Sequence, residues 1–514
     1  MAVCTMVAAS CAPAAAADPY PAEPFVAADP ARDFGNTFGV NVRFAWNDTV
    51  YGNYDAMEAR LLELGARHVL DGLCAACPYQ VAMLQRLAAK GITADVGVGS
   101  LASGSGHMQT QLASVKGPLS GAVEAVVAPN EPDLEPVTDW VTKTRAFQVE
   151  LWNSVKGDPG LAHLPVYGPS LVHRESRGLL GNLAGYLDYG NLHPYPGGIM
   201  PLSNFDNERT MMSLVSGSKP LVITEVGYHA DTTTDDSHRG VSEAVNANYT
   251  PRILLEAYRD GIKRTFFYQF VDPFTEAQRI QKGLSKAEGT FGLLRNDLTP
   301  RPSFIALRNL MDAVDGGSAP VGSPGGVRLG FEGAPSDMRR LLLRSADGSY
   351  ALVLWRQVSL WDRVGKRPVA AAPVPVDVVM GERLSLARRF DPVVASSETA
   401  RWSDPRRIRV DLAGAPVVLR LTPAASSSSP GGGGPGAPGS RSSSATGGRL
   451  VERGRCARPS RRSKRSKRAL RARRHARAGR SGRARVRFRP LSRRTCARSG
   501  GTRSRPAGRT ARHR

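Results

Sequence analysis

Strand-like and helix-like segments alternate along the chain from Phe38 to about residue 315. Eight short apolar runs are typical of buried strands, and amphipathic stretches separate them. The predicted strands are Gly39 to Phe44, Ala66 to Leu70, Ile92 to Val98, Val123 to Ala128, Pro165 to Pro169, Gly190 to His193, Leu221 to Thr224 and Arg264 to Gln269. This alternation implies parallel strands joined by crossover helices. The predicted fold class is α/β, a (β/α)8 TIM barrel over residues 30–315, with an open doubly wound sheet as the alternative.

Periodic apolar residues indicate the helices between these strands. Met57, Leu61 and Leu64 recur at helical spacing, and Gly65 suits the position just past a helix end. Pro78 suits the first turn of the next helix. Later helices are predicted at Val137 to Val155, Asn207 to Val215, Pro251 to Asp260 and Pro302 to Met311.

The pattern changes after Asp315 to short alternating strands. Arg340 to Arg344 and Tyr350 to Arg356 flank Asp347-Gly348, a dipeptide typical of a hairpin turn. Further strands are predicted at Val374 to Val379, Arg407 to Leu412 and Pro416 to Leu421. The sequence therefore predicts a small all-β sandwich domain over residues 320–422, followed by a Ser/Gly/Pro-rich linker over residues 423–448.

The positive charge of the chain is concentrated near its C-terminal end. The formal net charge is +24, yet residues 441–514 alone contain 28 Lys and Arg against one acid, Glu452. The rest of the chain has 41 basic and 44 acidic residues, the balance of an ordinary enzyme. This composition predicts a disordered basic tail over residues 449–514, which could bind an anionic cell-envelope polymer or nucleic acid. The alternative is a frame-shift artefact, the translation of a base-composition-biased gene in a shifted frame.

The first 17 residues are apolar and small, and they predict a signal peptide and therefore a secreted protein. Cys11 offers lipoprotein anchoring as an alternative. No later apolar run has the roughly 20 residues needed to span a bilayer, so no membrane span is expected. Cys74 and Cys77 are the only cysteines between leader and tail, and a local disulfide is the interpretation that fits an exported protein. A redox site and half of a zinc site are the alternatives.

Polar residues occupy the ends of three predicted barrel strands. Strand four ends in Asn130-Glu131, strand six ends with His193 and Tyr195, and strand seven runs into Glu225. The C-terminal ends of the strands form the active site of such a barrel, so two carboxylates and a tyrosine are expected to converge. Two facing carboxylates suit cleavage of a glycosidic bond, because one protonates the leaving oxygen while the other attacks the anomeric carbon.

This set of residues resembles that of glycoside hydrolase clan A, especially families 5 and 39. The resemblance implies that Glu131 is the general acid/base and Glu225 the nucleophile of a retaining enzyme. It also implies that Asn130 binds the 2-hydroxyl of the sugar, that Tyr195 donates a hydrogen bond to the nucleophile, and that His193 lies nearby. The resemblance covers roughly residues 38–315, and the following sandwich resembles the small β-domain of many clan members.

Two departures from the clan and three aromatic residues complete the predicted site. The clan commonly has an arginine at the end of strand two, where this chain has Leu70, and Arg43 at the end of strand one is the expected substitute. The clan's tryptophan at the end of strand eight is also missing. Sugars stack their apolar faces on aromatic rings, so Trp46, Tyr228 and Phe270 are predicted to bind substrate.

These observations predict a monomeric retaining glycoside hydrolase that cleaves a β-linked oligosaccharide or polysaccharide by double displacement. No motif calls for a metal or a cofactor, so none is expected. The missing arginine and tryptophan motivate one alternative, a non-catalytic carbohydrate-binding barrel. The basic tail motivates another, an envelope-binding or nucleic-acid-binding protein.

Overall fold

The computed structural model describes residues 20–234, 238–315 and 323–424. The predicted signal peptide and basic tail, and all but the first two residues of the predicted linker, lie outside the described residues. In the described ranges, no helix is long and apolar enough to cross a membrane.

Eight parallel strands form a closed barrel, as the sequence predicts. They are Phe38–Asn41, His68–Gly72, Thr93–Gly97, Val123–Val127, Val166–Tyr167, Gly190–Leu192, Leu221–Val226 and Thr265–Phe267. Each strand except the fifth pairs with the next strand in chain order, and the last pairs with the first. Between strands five and six the barrel closes through a bridge from Tyr167 to Tyr189, where the Gly168 N–H donates to the Tyr189 carbonyl over 2.9 Å. The alternative of an open sheet is therefore wrong.

Ten α-helices occur in the described ranges, and most of them surround the barrel. They are Ala31–Gly35, Tyr54–Leu64, Pro78–Ala88, Gly104–Lys116, Trp140–Lys156, Arg174–Leu180, Phe205–Ser216, Glu243–Arg259, Glu276–Gln281 and Pro302–Val314. The prediction that a helix begins at Pro251 is wrong. Ser242 caps this helix by accepting a hydrogen bond from the Val245 N–H, so the helix begins at Glu243 and contains Pro251 in its interior.

The C-terminal part of the described chain is a two-sheet β-sandwich. Its principal strands are Gly326–Glu332, Met338–Arg344, Tyr350–Arg356, Val374–Met380, Leu384–Phe390, Glu398–Ser403, Arg407–Leu412 and Val417–Pro423. The predicted hairpin is confirmed, since Met338–Arg344 pairs antiparallel with Tyr350–Arg356. A separate two-stranded ribbon, Trp361–Asp362 with Arg367–Pro368, accompanies the two sheets.

The sandwich also takes two short strands from before the barrel, which the sequence analysis missed. Phe25–Ala27 pairs antiparallel with Gly326–Glu332 in one sheet. Asp29–Pro30 pairs parallel with Met338–Arg344 in the other. Both strands are too short to show an alternating pattern, so only their pairing defines them.

Buried polar contacts and a shared core join the barrel to the sandwich. Arg252, fully buried in the helix Glu243–Arg259, donates to the Gln357 side chain over 2.9 Å and to the Val358 carbonyl over 3.0 Å. Trp355 donates through Nε1 to buried Glu256 over 2.6 Å. Apolar side chains of the strand Tyr350–Arg356 belong to the same hydrophobic cluster as the barrel helices.

Candidate active site

The carboxylates of Glu131 and Glu225 meet at the C-terminal end of the barrel. Glu131 follows strand four in a left-handed conformation with φ of 45°, and its N–H donates to Ser170 Oγ over 3.1 Å. Glu225 is the last residue but one of strand seven, which ends at Val226. One oxygen of each carboxylate and one nitrogen of His193 all lie within 4.8 Å of one another. The carboxylate side chains are 22% and 14% exposed, so each is held by protein yet open to a substrate.

His193 joins the acidic pair to the barrel. Its Nδ1 donates to Glu131 Oε1 over 2.8 Å, and its Nε2 lies 2.8 Å from Thr224 Oγ1. The Thr224 hydroxyl donates to Asn191 Oδ1 over 2.7 Å, which leaves its oxygen to accept from Nε2. Burial alone would lower the pKa of His193, but Glu225 and Glu131 outweigh burial and raise the pKa above its ordinary value. An imidazolium that donates from both nitrogens fits this arrangement.

Tyr195 orients the second carboxylate. Its hydroxyl donates to Glu225 Oε2 over 2.7 Å. The ring packs edge-on against His238, Phe291 and Tyr268, with centroid separations of 5.0, 5.8 and 6.2 Å. Burial, together with the neighbouring Glu225 charge, raises the pKa of Tyr195 well above its ordinary value, so the phenol stays a hydrogen-bond donor.

Arg43 extends the site from the end of strand one. Its guanidinium donates to the Tyr268 hydroxyl over 3.1 Å and lies 4.7 Å from the centre of the Trp46 ring. The Tyr268 hydroxyl donates in turn to Glu288 over 3.2 Å. Burial opposes the charge of Arg43, but Tyr268 and, further off, Glu225 raise its pKa above the ordinary value. Arg43 therefore remains a cation near Glu225.

Leu70 lies inside the barrel and does not reach into this network. It is half-buried and packs on a small cluster formed by Ala125, Val127, Tyr167 and Val222. The arginine of this site, Arg43, follows strand one instead.

Trp46 is partly exposed at the edge of the site, and its contact with a sugar stays a prediction. It is 37% exposed, and its ring stacks on that of Phe274 with centroids 5.5 Å apart and an interplanar angle of 23°. Lys282 covers the Phe274 ring at 4.8 Å. The stacked pair lies beside Arg43, and a cation lies over each of its two rings.

The predictions that Tyr228 and Phe270 stack on substrate are wrong. Tyr228 is 3% exposed, and its hydroxyl donates to the Ile199 carbonyl over 2.7 Å. Phe270 is fully buried, because its N–H donates to the Asn41 carbonyl and its carbonyl accepts from Leu294, which fixes it in the barrel wall. A ring without exposed surface cannot contact a sugar.

A buried carboxylate supports the end of strand one. Asp71 Oδ2 accepts from the Phe44 N–H over 3.0 Å and from Gln80 Nε2 over 2.8 Å. Burial raises the pKa of Asp71 to about 7, although both hydrogen bonds oppose the shift. Gln80 also accepts from the Cys74 N–H over 2.8 Å, which ties in the loop closed by the predicted Cys74–Cys77 disulfide. The disulfide prediction is confirmed.

Several residues of the site were missed by sequence reasoning. Thr224 precedes Glu225 directly and could have been found as part of the same strand end. Tyr268 occupies the end of strand eight, where the clan has tryptophan, and that position was the available signal. Phe274, Glu288 and Phe291 follow strand eight in a segment of turns and short helices, where the sequence predicted no element. The exposed side chain of Asn130 lies next to Glu131 in the chain.

A cavity of about 470 Å³ opens beside the carboxylates. Glu131, His193 and Tyr195 line it, whereas Glu225 does not. The segments after strands four, five, six and seven form its walls. Glu131, His193 and Glu225 are also close enough to coordinate one metal ion.

Comparison with known proteins shows where this fold occurs. No protein-family model matches the chain, and no curated protein sequence matches it. A monomeric β-xylosidase from Caulobacter crescentus CB15 has a TM-score of 0.51 and 15% identity, covering 78% of this chain and 98% of that chain. A glycoside hydrolase family 39 enzyme from Xanthomonas axonopodis pv. citri has a TM-score of 0.50 and 15% identity, covering 77% and 96%. The chain therefore has the fold of clan A glycoside hydrolases.

Proposed function

We propose that this protein is a retaining glycoside hydrolase acting on a β-linked glycoside, with Glu131 as acid/base and Glu225 as nucleophile. The observation that carries the proposal is the convergence of the two carboxylates, with oxygens within 4.8 Å of each other across the barrel mouth. Retaining enzymes hold their carboxyl groups about 5–5.5 Å apart, whereas inverting enzymes need about 6.5–9.5 Å to admit a water molecule.

In this mechanism Glu225 attacks the anomeric carbon while Glu131 gives its proton to the departing oxygen. The glycosidic C–O bond breaks, and an ester bond forms between the sugar and Glu225. Glu131 then removes a proton from water, which attacks the same carbon and releases Glu225. Tyr195 holds the attacking carboxylate in position, and His193 is a hydrogen-bond donor to the acid/base.

The decisive test uses a panel of nitrophenyl β-glycosides with the variants Glu131→Gln and Glu225→Gln. Each change keeps the shape of the side chain but removes its acid or nucleophilic chemistry, so kcat should fall by at least about 10³-fold. Glu150→Gln, on the barrel helix Trp140–Lys156, is the matched control and should keep full activity.

Azide distinguishes the two roles. Azide can replace the base-activated water in Glu131→Ala, giving a β-glycosyl azide, and can replace the nucleophile in Glu225→Gly, giving an α-glycosyl azide. Wild-type turnover followed by proton NMR should release the β-anomer first. If both glutamine variants keep wild-type activity, the proposal is wrong. If the wild-type protein hydrolyses none of the glycosides, a carbohydrate-binding barrel is favoured.

A further inference from the structure

A continuous chain of buried hydrogen bonds runs through the barrel interior to Glu131. Asn191 Oδ1, in strand six, accepts from the Thr224 hydroxyl over 2.7 Å. The Thr224 oxygen lies 2.8 Å from His193 Nε2, and His193 Nδ1 lies 2.8 Å from Glu131 Oε1. The side chains of Asn191, Thr224 and His193 are at most 2% exposed. Solvent therefore does not compete for the bonds that lead to Glu131.

Thr224 is held in place from two other strands. Asn41 Nδ2, in strand one, donates to the Thr224 carbonyl over 3.1 Å. Asn191 holds the Thr224 hydroxyl from strand six. Among the described residues, Thr224 is the one hydrogen-bond partner of the Asn191 amide, and Asn191 Nδ2 has none. An aliphatic side chain would serve packing better than this amide, so the contribution of Asn191 is to orient the hydroxyl.

The orientation of the hydroxyl fixes the protonated nitrogen of His193. A threonine hydroxyl has a single proton, and here it lies towards Asn191. The contact with Thr224 therefore requires a proton on His193 Nε2, and Nδ1 is turned towards Glu131. A carboxylate oxygen and a bare nitrogen would repel each other at 2.8 Å, so a proton must lie between Nδ1 and Glu131 Oε1.

The charged groups around His193 help to keep that proton. Burial opposes a charge on the imidazole, but the carboxylates of Glu225, Glu131 and Asp133 outweigh burial and raise its pKa above the ordinary value. Tyr195 is the other titratable neighbour, with its ring edge-on at 6.5 Å. Its own pKa is raised by burial, so it stays neutral. These surroundings retain a proton on the pair of His193 and Glu131.

A different group holds the other carboxylate. Glu225 Oε2 accepts from the Tyr195 hydroxyl over 2.7 Å, whereas His193 Nδ1 is 3.8 Å from the same oxygen. The second distance is too long for a hydrogen bond. The chain through Asn191 and Thr224 therefore ends on Glu131 and not on Glu225.

We propose that Thr224 and Asn191 are positioning residues for proton transfer to the leaving group. They bind His193 through Nε2, and His193 in turn holds Glu131 Oε1 and the proton between them. Both residues are buried, so they act through His193 and do not contact substrate. The inference rests on the proposed function, because it takes Glu131 to be the acid that protonates the departing oxygen as the C–O bond breaks.

The test compares a poor and a good leaving group on the glycone that the nitrophenyl panel identifies. Phenoxide departs slowly unless it is protonated, whereas dinitrophenolate departs without a proton. The constant kcat/KM, measured for both aryl β-glycosides with the full-length protein, covers the steps through cleavage of the bond. Thr224→Val keeps the shape of the side chain and removes its hydroxyl. It should lower kcat/KM at least about tenfold for the phenyl glycoside and less than about twofold for the dinitrophenyl glycoside.

Three further variants complete the series. Thr224→Ser restores the hydroxyl and should return the phenyl glycoside to within about threefold of the wild type. Asn191→Ala removes the acceptor and should give the same selective loss, of about threefold or more, which decides the question if Thr224→Val does not fold. Thr144→Val is the matched control, because Thr144 is 1% exposed and its hydroxyl has no hydrogen-bond partner among the described residues. It should change neither value.

Four outcomes would overturn the inference. Equal losses on both glycosides in Thr224→Val, or a loss that Thr224→Ser does not relieve, would mean that the hydroxyl supports strand seven and not proton transfer. A selective loss in Glu131→Gln beside an unchanged Thr224→Val would refute the positioning role and leave the proposed function standing. If Glu131→Gln shows no selective loss, or the wild type cleaves neither glycoside, Glu131 is not the acid and both proposals fail.

Discussion

At the residue scale, the two carboxylates differ in the group that holds them. Glu131 accepts from an imidazole and Glu225 from a phenol. Tyr195→Phe removes only the hydroxyl that donates to Glu225, while the ring keeps its aromatic neighbours. If Glu225 is the nucleophile, as proposed, we expect kcat to fall by about 10²-fold with little change in thermal stability, because the lost donor orients the Glu225 carboxylate. An unaltered kcat, or a large loss of stability with full activity, would contradict this role.

Asp71 should make stability depend on pH. Its folded pKa of about 7 lies above its ordinary 3.8, so the folded state keeps a proton that the unfolded state has lost. The stabilisation is complete below pH 3.8 and disappears as the pH rises to 7. The asparagine in Asp71→Asn does not titrate, so the free energy of unfolding of this variant lacks this pH dependence. Between pH 4 and pH 8 the wild type should therefore lose up to about 4 kcal/mol of unfolding free energy relative to the variant.

Urea unfolding at several pH values measures this difference. Asp411→Asn, an exposed change on the sandwich, controls for the substitution itself. A wild-type-to-variant difference that stays constant between pH 4 and pH 8 would show that Asp71 ionises normally in the folded protein.

Single residues were predictable where their position on a strand decided their environment. Glu131, His193, Tyr195 and Glu225 end barrel strands, and strand ends converge whatever the loops do. Phe270 was misplaced because the same reasoning does not tell which way a side chain turns once the strand has ended. Only the hydrogen bonds that fix its backbone decide that it faces the core.

At the element scale, the loop after strand two is closed by the Cys74–Cys77 disulfide. Closing so short a loop restricts the unfolded chain only slightly, so Cys74→Ser with Cys77→Ser should cost about 2 kcal/mol of unfolding free energy. Denaturant unfolding with and without reductant checks this. Reductant should lower the unfolding free energy of the wild type by the same amount and leave that of the double variant unchanged. A much larger loss would mean that the disulfide supports Asp71 and Gln80 directly.

Elements with an apolar run of their own followed from the sequence, and elements defined only by a distant partner did not. The barrel strands are buried on both faces and separated by helices, so their apolar runs stood out even where the strand has two residues, as in Val166–Tyr167. The strands Phe25–Ala27 and Asp29–Pro30 exist because partners about 300 residues away bind them. No local pattern contains that information.

At the scale of the whole molecule, barrel and sandwich should fold as one unit. Arg252 and Glu256 of the barrel are buried, and separating the domains would remove the hydrogen bonds that both make with the sandwich. We expect the fragment of residues 20–424 to melt at the same temperature as the full chain and to keep its activity within about twofold. Residues 31–315 alone should be insoluble or molten. Circular dichroism, melting curves and the nitrophenyl assay measure this.

The same two fragments test whether the main activity needs the basic tail. Loss of the main activity in residues 20–424 would support a protein that acts through its C-terminal segment. A soluble, active barrel of residues 31–315 would show that the buried contacts to the sandwich are dispensable.

The pairing of Phe25–Ala27 and Asp29–Pro30 with the sandwich makes the barrel an insertion within another domain. During synthesis these two strands emerge first, yet their partners leave the ribosome about 300 residues later. The barrel must therefore be synthesised while these two strands are still unpaired, and the sandwich sheets can be completed only afterwards. A circular permutant that begins in a barrel loop and joins residue 424 to residue 20 would make the sandwich contiguous and should remove this wait.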